Sequence, residues 1–298
     1  MVVGAALSEL PYLRMHGCGN DYVFLDCFQN AAPHDLSGLA RFISDRHRAA
    51  GSDGLVLMLP SDTPAAVARM RMFNADGSEG SLCGNALRCM AMWLHQTGRA
   101  GRTFQIAMAE RLIGVQIVDS EPGLRRAMVR IDVGRPGVLN SQPGISGCVR
   151  QQSLAGVQVP GLLGQPLHVS LGNPHTVFFV AAIAAVPFDR LGPQIESHPV
   201  FPDRTNVEFV EISDPSANRL TVRVWERGSG ETLACGSGAC AVAVAALAAG
   251  HLQSFQAVSV QMAGGLLRVL VSADLQLQLE GPAEECCRGS ILWPRTVV

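Results

Sequence analysis

Glu226-Arg227-Gly228-Ser229-Gly230-Glu231-Thr232-Leu233-Ala234-Cys235-Gly236-Ser237-Gly238-Ala239-Cys240 is the stretch on which the fold turns. A Gly-rich loop runs into Cys235-Gly236, and small or apolar residues continue from there to about Gly250. This pattern predicts a helix opening at Cys235. Its body, Ala239 to Ala249, is apolar on nearly every face, so it must be enclosed on all sides. It falls well short of the ~20 residues needed to span a bilayer. A helix wrapped by a strongly curved antiparallel sheet meets that requirement.

The same grammar stands earlier in the chain. A Gly/Ser/Asn/Asp loop, Asn74 to Gly80, leads to Cys83-Gly84-Asn85 and a helix running to about Gln96, with Thr97-Gly98 as its stop. Before the first loop, strands are expected at Tyr22–Cys27, Leu55–Leu59 and Arg69–Phe73, with a helix over Leu36–Arg46. After the first helix come Thr103–Met108, Ile113–Val118 and Ala127–Val133. The second half has strand patterns at Leu167–Ser170, Val177–Val180, Val207–Ile212 and Leu220–Trp225. It closes with Ala257–Gln261, Leu266–Val271 and Leu275–Glu280. The chain therefore reads as an internal repeat of about 150 residues. A domain boundary falls at 127/128, giving a first domain over 1–127 and a second over 128–282.

Composition narrows the function classes. The net charge is −2, with no long charge run, and only 5% of residues are aromatic. Neither a basic nucleic-acid footprint nor a base-stacking surface is indicated, so no nucleic-acid partner is expected. The stretch Met1 to Tyr12 has no sustained apolar core, so neither a signal peptide nor a membrane partner is expected. Nine scattered cysteines without an export signal read as thiols of a reducing, cytoplasmic compartment. All 23 basic Lys/Arg positions are arginine. A pyridoxal phosphate enzyme holds its cofactor on a lysine amine, so internal aldimine chemistry is excluded and no cofactor is expected. Nor is a metal expected: Cys83 and Cys89 lie farther apart than zinc-binding pairs usually do.

Two cysteines at helix N-termini suggest a chemistry. Unpaired backbone N–H groups and the helix dipole favour an anion there, which lowers the pKa of a cysteine. The adjacent glycines, Gly84 and Gly236, let a carboxylate approach the backbone. Inverting a stereocentre needs a base on one face and an acid on the other, which two thiols supply. Either Cys-Gly alone reads better as a structural helix start; two at matching places in a repeat carry more weight.

The motifs also form an ordered set. They are Met15-His16-Gly17-Cys18-Gly19-Asn20-Asp21, Phe73-Asn74-Ala75-Asp76-Gly77-Ser78-Glu79, Cys83-Gly84-Asn85 with Arg88-Cys89, Gly172-Asn173-Pro174-His175, Arg204-Thr205-Asn206-Val207 and the opening stretch. This set resembles the motifs of diaminopimelate epimerases. The resemblance implies an α+β fold of two pseudo-symmetric domains, each a curved mixed or antiparallel sheet around a central helix. The active site would lie in the interdomain cleft, and a C-terminal strand near 283–298 would complete the first domain. The implied reaction is cofactor-independent, two-base interconversion of LL- and meso-2,6-diaminopimelate, on the route to lysine and cell-wall precursors.

By resemblance, Cys83 and Cys235 are the acid/base pair, and His175 and Glu226 support catalysis. Gly84, Asn85, Gly236 and Ser237 would hold the reacting carboxylate. Asn20, Asn74, Asn173, Asn206, Glu226 and Arg227 would contact the rest of the substrate, as would Gly54, at a position where family members carry Gln or Gly. Arg227 is the natural fork for a second carboxylate. Singly, Asn20, Asn74 and Asn206 read as turn residues and His175 as a core histidine. Two alternatives stand beside this reading: a same-fold racemase or epimerase of proline, hydroxyproline or a basic amino acid, and a non-catalytic amino-acid-binding protein. Family members often form homodimers, although the sequence carries no interface signature.

Overall fold

The computed structural model describes residues 7–80, 83–109, 111–121, 123–253 and 256–294. Parts of the expected segments at 1–12, 107–111 and 283–298 lie outside the described residues. The chain divides into two compact units: residues 1–131 with 282–298, and residues 132–281. The fold is α+β, each unit combining a mixed sheet with two helices of eight residues or more. No helix among the described residues is long and apolar enough to cross a membrane.

In the first unit the strands are β1 (Leu7–Gly17), β2 (Asn20–Asp26), β3 (Gly54–Leu59), β4 (Ala68–Asn74), β5 (Glu79–Gly80), β6 (Thr103–Met108), β7 (Arg111–Ser120) and β8 (Arg126–Gly134). The helices are α1 (Leu36–Ser44) and α2 (Gly84–Gln96). Two parallel pairings, β2–β3 and β4–β6, interrupt an otherwise antiparallel order. Every residue of α2 from Asn85 to Leu94 is buried, which makes it the central helix of its unit. The β1–β2 hairpin turns through Cys18 and Gly19, both at positive φ (54° and 85°). A two-residue turn of that kind matches the strand twist, and it places Asn20 at the start of β2.

The second unit repeats the plan. Its strands are β9 (Val149–Gln151), β10 (Leu167–Ser170), β11 (Pro174–Phe179), β12 (Asn206–Asp214), β13 (Arg219–Glu226), β14 (Gly230–Thr232), β15 (Val258–Met262) and β16 (Gly265–Val271). Its helices are α3 (Phe188–Glu196) and α4 (Gly236–Ala248). Here β11–β12 and β13–β15 are the parallel pairs, at the places of β2–β3 and β4–β6. Residues Gly238 to Ala246 of α4 are all buried. Its alanines and valines allow the surrounding strands to come close, as the all-round apolar pattern requires.

The last strand, β17, runs from Leu277 to Pro294. Up to Glu280 it pairs with β16 in the second unit. From Glu284 onward it lies antiparallel to β1 in the first, with Leu7 opposite Pro294 and His16 opposite Glu284. The expected strand at Leu275–Glu280 starts later and continues much further. Leu275 adopts φ 66°, and Ser272 closes the preceding turn through its bond with the Gln276 amide, so the strand begins only after it. Val180, expected inside a strand, lies past the end of β11 and forms an isolated bridge with Leu162. Helix α3 was not expected. It carries Gly192-Pro193, and glycine fits there because a Cβ would meet the Trp225 ring at 2.7 Å.

Candidate active site

In the first unit Cys83 is the N-cap of α2, with extended backbone (φ −134°, ψ 108°). Its Sγ accepts from the Ala86 amide at 3.5 Å and lies 3.1 Å from the Tyr22 hydroxyl, to which the thiol donates. A sulfur in the N-cap role takes one of the orphan N–H groups of the first turn. Gly84 and Asn85 follow as the first helical residues. Asn85 is buried, and its Oδ1 accepts from Arg88 Nη2 at 2.7 Å. Arg88 is wholly buried as well; its Nε donates to the Pro282 carbonyl, and its Nη1 has no partner among the described residues.

The other predicted residues of this unit lie at strand ends. Asn20 opens β2. Asn74 ends β4, exposed, with its Nδ2 donating to Ser78 Oγ at 2.9 Å. Gly54 pairs opposite Asn74, and a Cβ on it would sit 2.3 Å from the Phe73 carbonyl oxygen. Close approach of β3 to β4 therefore accounts for the glycine without any ligand.

The second unit gathers more of the predicted set. Cys235 caps α4 with φ −123° and ψ 114°, and its Sγ accepts from the Gly238 amide at 3.3 Å. Ser237 Oγ lies 3.5 Å from that sulfur, and Asn173 Nδ2 donates to the same hydroxyl at 3.4 Å. Asn173 Oδ1 faces His175 Nε2 at 3.1 Å. On β12, Asn206 stands opposite His175 in parallel register. Its amide accepts from the Arg227 backbone N–H and donates to the Pro174 carbonyl, both at 2.9 Å, which ties β11, β12 and the Glu226–Gly230 turn together. Glu226 accepts from Thr232 Oγ1 at 2.6 Å and shares a hydrogen bond with the Cys235 side chain. Arg227 is exposed, with Nη1 on the Asp203 carbonyl at 3.0 Å.

Electrostatics at Cys235 depart from the expectation of a lowered pKa. Burial pushes the thiol well above its ordinary value, and the nearby Glu226 and Glu208 carboxylates add to this; Ser237 and the Gly238 amide oppose it. Desolvation therefore outweighs the helix N-terminus, and Cys235 rests as a thiol. Burial also raises the Glu226 carboxyl, against the lowering by Thr232, Cys235 and His175.

Tyr22, Glu208 and Glu196 enter the surroundings of these residues without having been read from the sequence, and Arg88 and Thr232 stand in the quoted motifs but were given no role. Glu196 is buried at the end of α3, where it accepts from the Trp225 indole at 2.9 Å and from the Gly228 amide at 2.7 Å. It thereby secures the turn that follows Glu226 and Arg227. A signal existed for Glu208, a charged residue within the apolar run Val207 to Val210. Tyr22 has none, because a tyrosine in a strand is ordinary.

Solved structures share this architecture. A PhzF-family phenazine biosynthesis protein of Bacillus anthracis superposes with a TM-score of 0.69 at 15% identity, over 96% of this chain and 100% of that one. A hydroxyproline epimerase of Agrobacterium vitis gives 0.67 at 13% identity, over 97% and 92%. The class is thus an α+β fold that includes amino-acid epimerases, here with a cysteine capping the central helix of each unit. Residues 12–137 and 167–284 match the diaminopimelate epimerase family, and the chain belongs to that family. A diaminopimelate epimerase of Pelotomaculum thermopropionicum is 42% identical over 94% of this chain and 98% of its own length. One from Moorella thermoacetica is 41% identical over the same shares.

Proposed function

We propose that this protein is a diaminopimelate epimerase that inverts one α-carbon of LL-2,6-diaminopimelate to give the meso isomer, without pyridoxal phosphate. The observation that carries the reading is the pair of N-cap cysteines, Cys83 and Cys235, at matching places in the two units. Epimerisation calls for one thiolate to take the α-proton on one face while the other thiol returns a proton on the opposite face. The roles exchange in the reverse direction. The proton removed is very weakly acidic, so the carbanion needs fixed dipoles around its carboxylate. The first amides of α2 and α4, at Gly84, Asn85, Gly236 and Ser237, are the donors assigned here. Glu226 and His175 assist the thiols. Arg227, with Asn20, Asn74, Asn173 and Asn206, is assigned to the remote amino-acid end, and Gly54 only to backbone contact.

The cytoplasm is the compartment proposed, since cysteines that stay free, as all nine are, suit a reducing environment. A homodimer is proposed on the family resemblance.

Incubating the purified protein with LL-diaminopimelate in deuterated water tests the reaction. The expected result is meso product carrying deuterium at one α-carbon. Absence of both, with turnover of proline, hydroxyproline or a basic amino acid instead, would replace the substrate assignment. No exchange on any amino acid would leave a binding protein.

A further inference from the structure

Glu208 is a buried carboxylate to which the reaction above gives no part. It lies on β12 two residues beyond Asn206, with no side-chain exposure, and His175 beside it on β11 is equally buried. His175 Nδ1 and Glu208 Oε1 are 2.6 Å apart, while Oε2 has no hydrogen-bond partner among the described residues. Burying a carboxylate is costly before pairing, so a position serving only the core would suit an apolar side chain better. The helix also accommodates it: a Cβ on Gly238 would come within 3.0 Å of Oε1.

A continuous line of polar groups leads from this pair to the catalytic thiol. It runs from His175 Nε2 to Asn173 Oδ1 (3.1 Å), from Asn173 Nδ2 to Ser237 Oγ (3.4 Å), and from Ser237 Oγ to Cys235 Sγ (3.5 Å). A carboxylate can only accept, so Nδ1 keeps its hydrogen whether or not the ring is charged. Nε2 is then the nitrogen that gains or loses a proton. When Nε2 carries one, Asn173 accepts it and donates to Ser237, whose hydroxyl hydrogen is left for a Cys235 thiolate. When Nε2 is bare, the amide turns over, Ser237 donates to Asn173, and the single S–H of Cys235 turns from Glu226 to Ser237.

We propose that Glu208 is a positioning residue that holds His175 as the Nδ1–H tautomer and, through Asn173 and Ser237, ties the proton on His175 to the one on Cys235. The inference rests on the reading of Cys235 as a catalytic thiol. Its test is nitrogen NMR of protein labelled in histidine, with the His175 signals identified by their loss in His175→Asn, alongside epimerase kinetics. In the neutral form of the ring the wild type should show Nδ1 protonated and Nε2 bare. Glu208→Met should populate the opposite tautomer and lower kcat roughly 10- to 100-fold, the size typical when the partner orienting a functional imidazole is removed, with KM within about twofold. Glu208→Gln keeps an acceptor oxygen, so it should retain the tautomer and lose less activity; it carries the test if Glu208→Met fails to fold.

An unchanged tautomer in Glu208→Met would overturn the proposal, as would unchanged kcat despite a changed tautomer. In Glu208→Gln, full loss of the Nδ1–H form would do the same. The NMR result is independent of turnover, so a wild type inactive on diaminopimelate would strike the substrate reading and leave the tautomer result standing.

Discussion

Cys83 and Cys235 cap helices of the same length, 13 residues, with backbone angles that differ by about ten degrees, and each sulfur accepts from the amide three residues on. Their surroundings differ. Cys83 is half-buried, with a phenol as its partner, and Asn85 two residues on is held by the buried guanidinium of Arg88. Cys235 is buried, with Ser237 beside it and the carboxylates of Glu226 and Glu208 close by. The repeat reproduces the backbone device, and the side chains around it break the symmetry of charge. One cysteine sits in a unit whose central helix buries a cation; the other is kept a thiol first by burial and then by the carboxylates beside it. In each direction of a two-base reaction one of the two groups acts as acid and the other as base.

The largest effect should come from removing either thiol. Cys83→Ala and Cys235→Ala should each lose inversion by at least about 10²-fold, the usual span for a positioned acid or base. The comparison predicts more than loss. A single remaining thiol can remove and return a proton on its own face, so each variant should wash deuterium into only one of the two epimers, and the two variants should choose opposite ones. Mass spectra of LL- and meso-diaminopimelate recovered from deuterated water read this. If both variants exchanged the same epimer, the cysteines would not serve opposite faces.

Glu226→Gln tests the acidic surroundings of Cys235. It should lower kcat while raising Tm at pH 8. Burial raises the Glu226 carboxyl, so the folded chain holds that proton more tightly than the unfolded one. The stability linked to it is fully present below the ordinary carboxylate value of about 4.3 and is lost as pH rises through the folded value. Glutamine stays neutral throughout. The Tm advantage of the variant should therefore vanish near pH 4 and grow above it. A constant difference across pH, read by calorimetry, would mean that the carboxyl is not strained by burial.

Much of this contrast could not be read from the chain. The strands Thr103–Met108 and Leu167–Ser170 were legible to the residue, because turn residues bound short, β-rich runs. Both central helices were legible from Cys-Gly starts and apolar bodies. Helix α3 carries Gly192-Pro193, a pair that ordinarily interrupts a helix, although the glycine is there to admit the Trp225 ring. Strand β1 carries Pro11 and is only partly buried over its first half, and β17 beyond Gly281 opens with Glu284-Glu285-Cys286-Cys287-Arg288, which has no period-two apolar signal. The cysteines and their glycines were visible as motifs. The groups around them were less so: Tyr22 sits inside an ordinary strand pattern, and Arg88, though part of a motif, and Glu208, though a charge in an apolar run, acquire meaning only through contacts across the sequence.

Arg88 gives the finest test of the asymmetry. The position five residues beyond the N-cap is arginine in α2 and Cys240 in α4. Arg88 is wholly buried and has no ion pair among the described residues. Arg88→Met removes donors from Asn85 and from the Pro282 carbonyl, a loss of about 1–3 kcal/mol. It also removes a buried charge with no carboxylate partner, and replacing buried ions by apolar groups commonly gains about 1–4 kcal/mol. The two effects oppose each other, so Tm should move by less than about 5 °C. Asn85 loses the guanidinium donor on its Oδ1, so its orientation at the helix start is less closely fixed, and kcat/KM should fall about tenfold or more. If instead Tm dropped by about 10 °C or more while kcat/KM held, Arg88 would be a brace for α2, and the charge difference between the two helix starts would rest on the carboxylates around Cys235 alone.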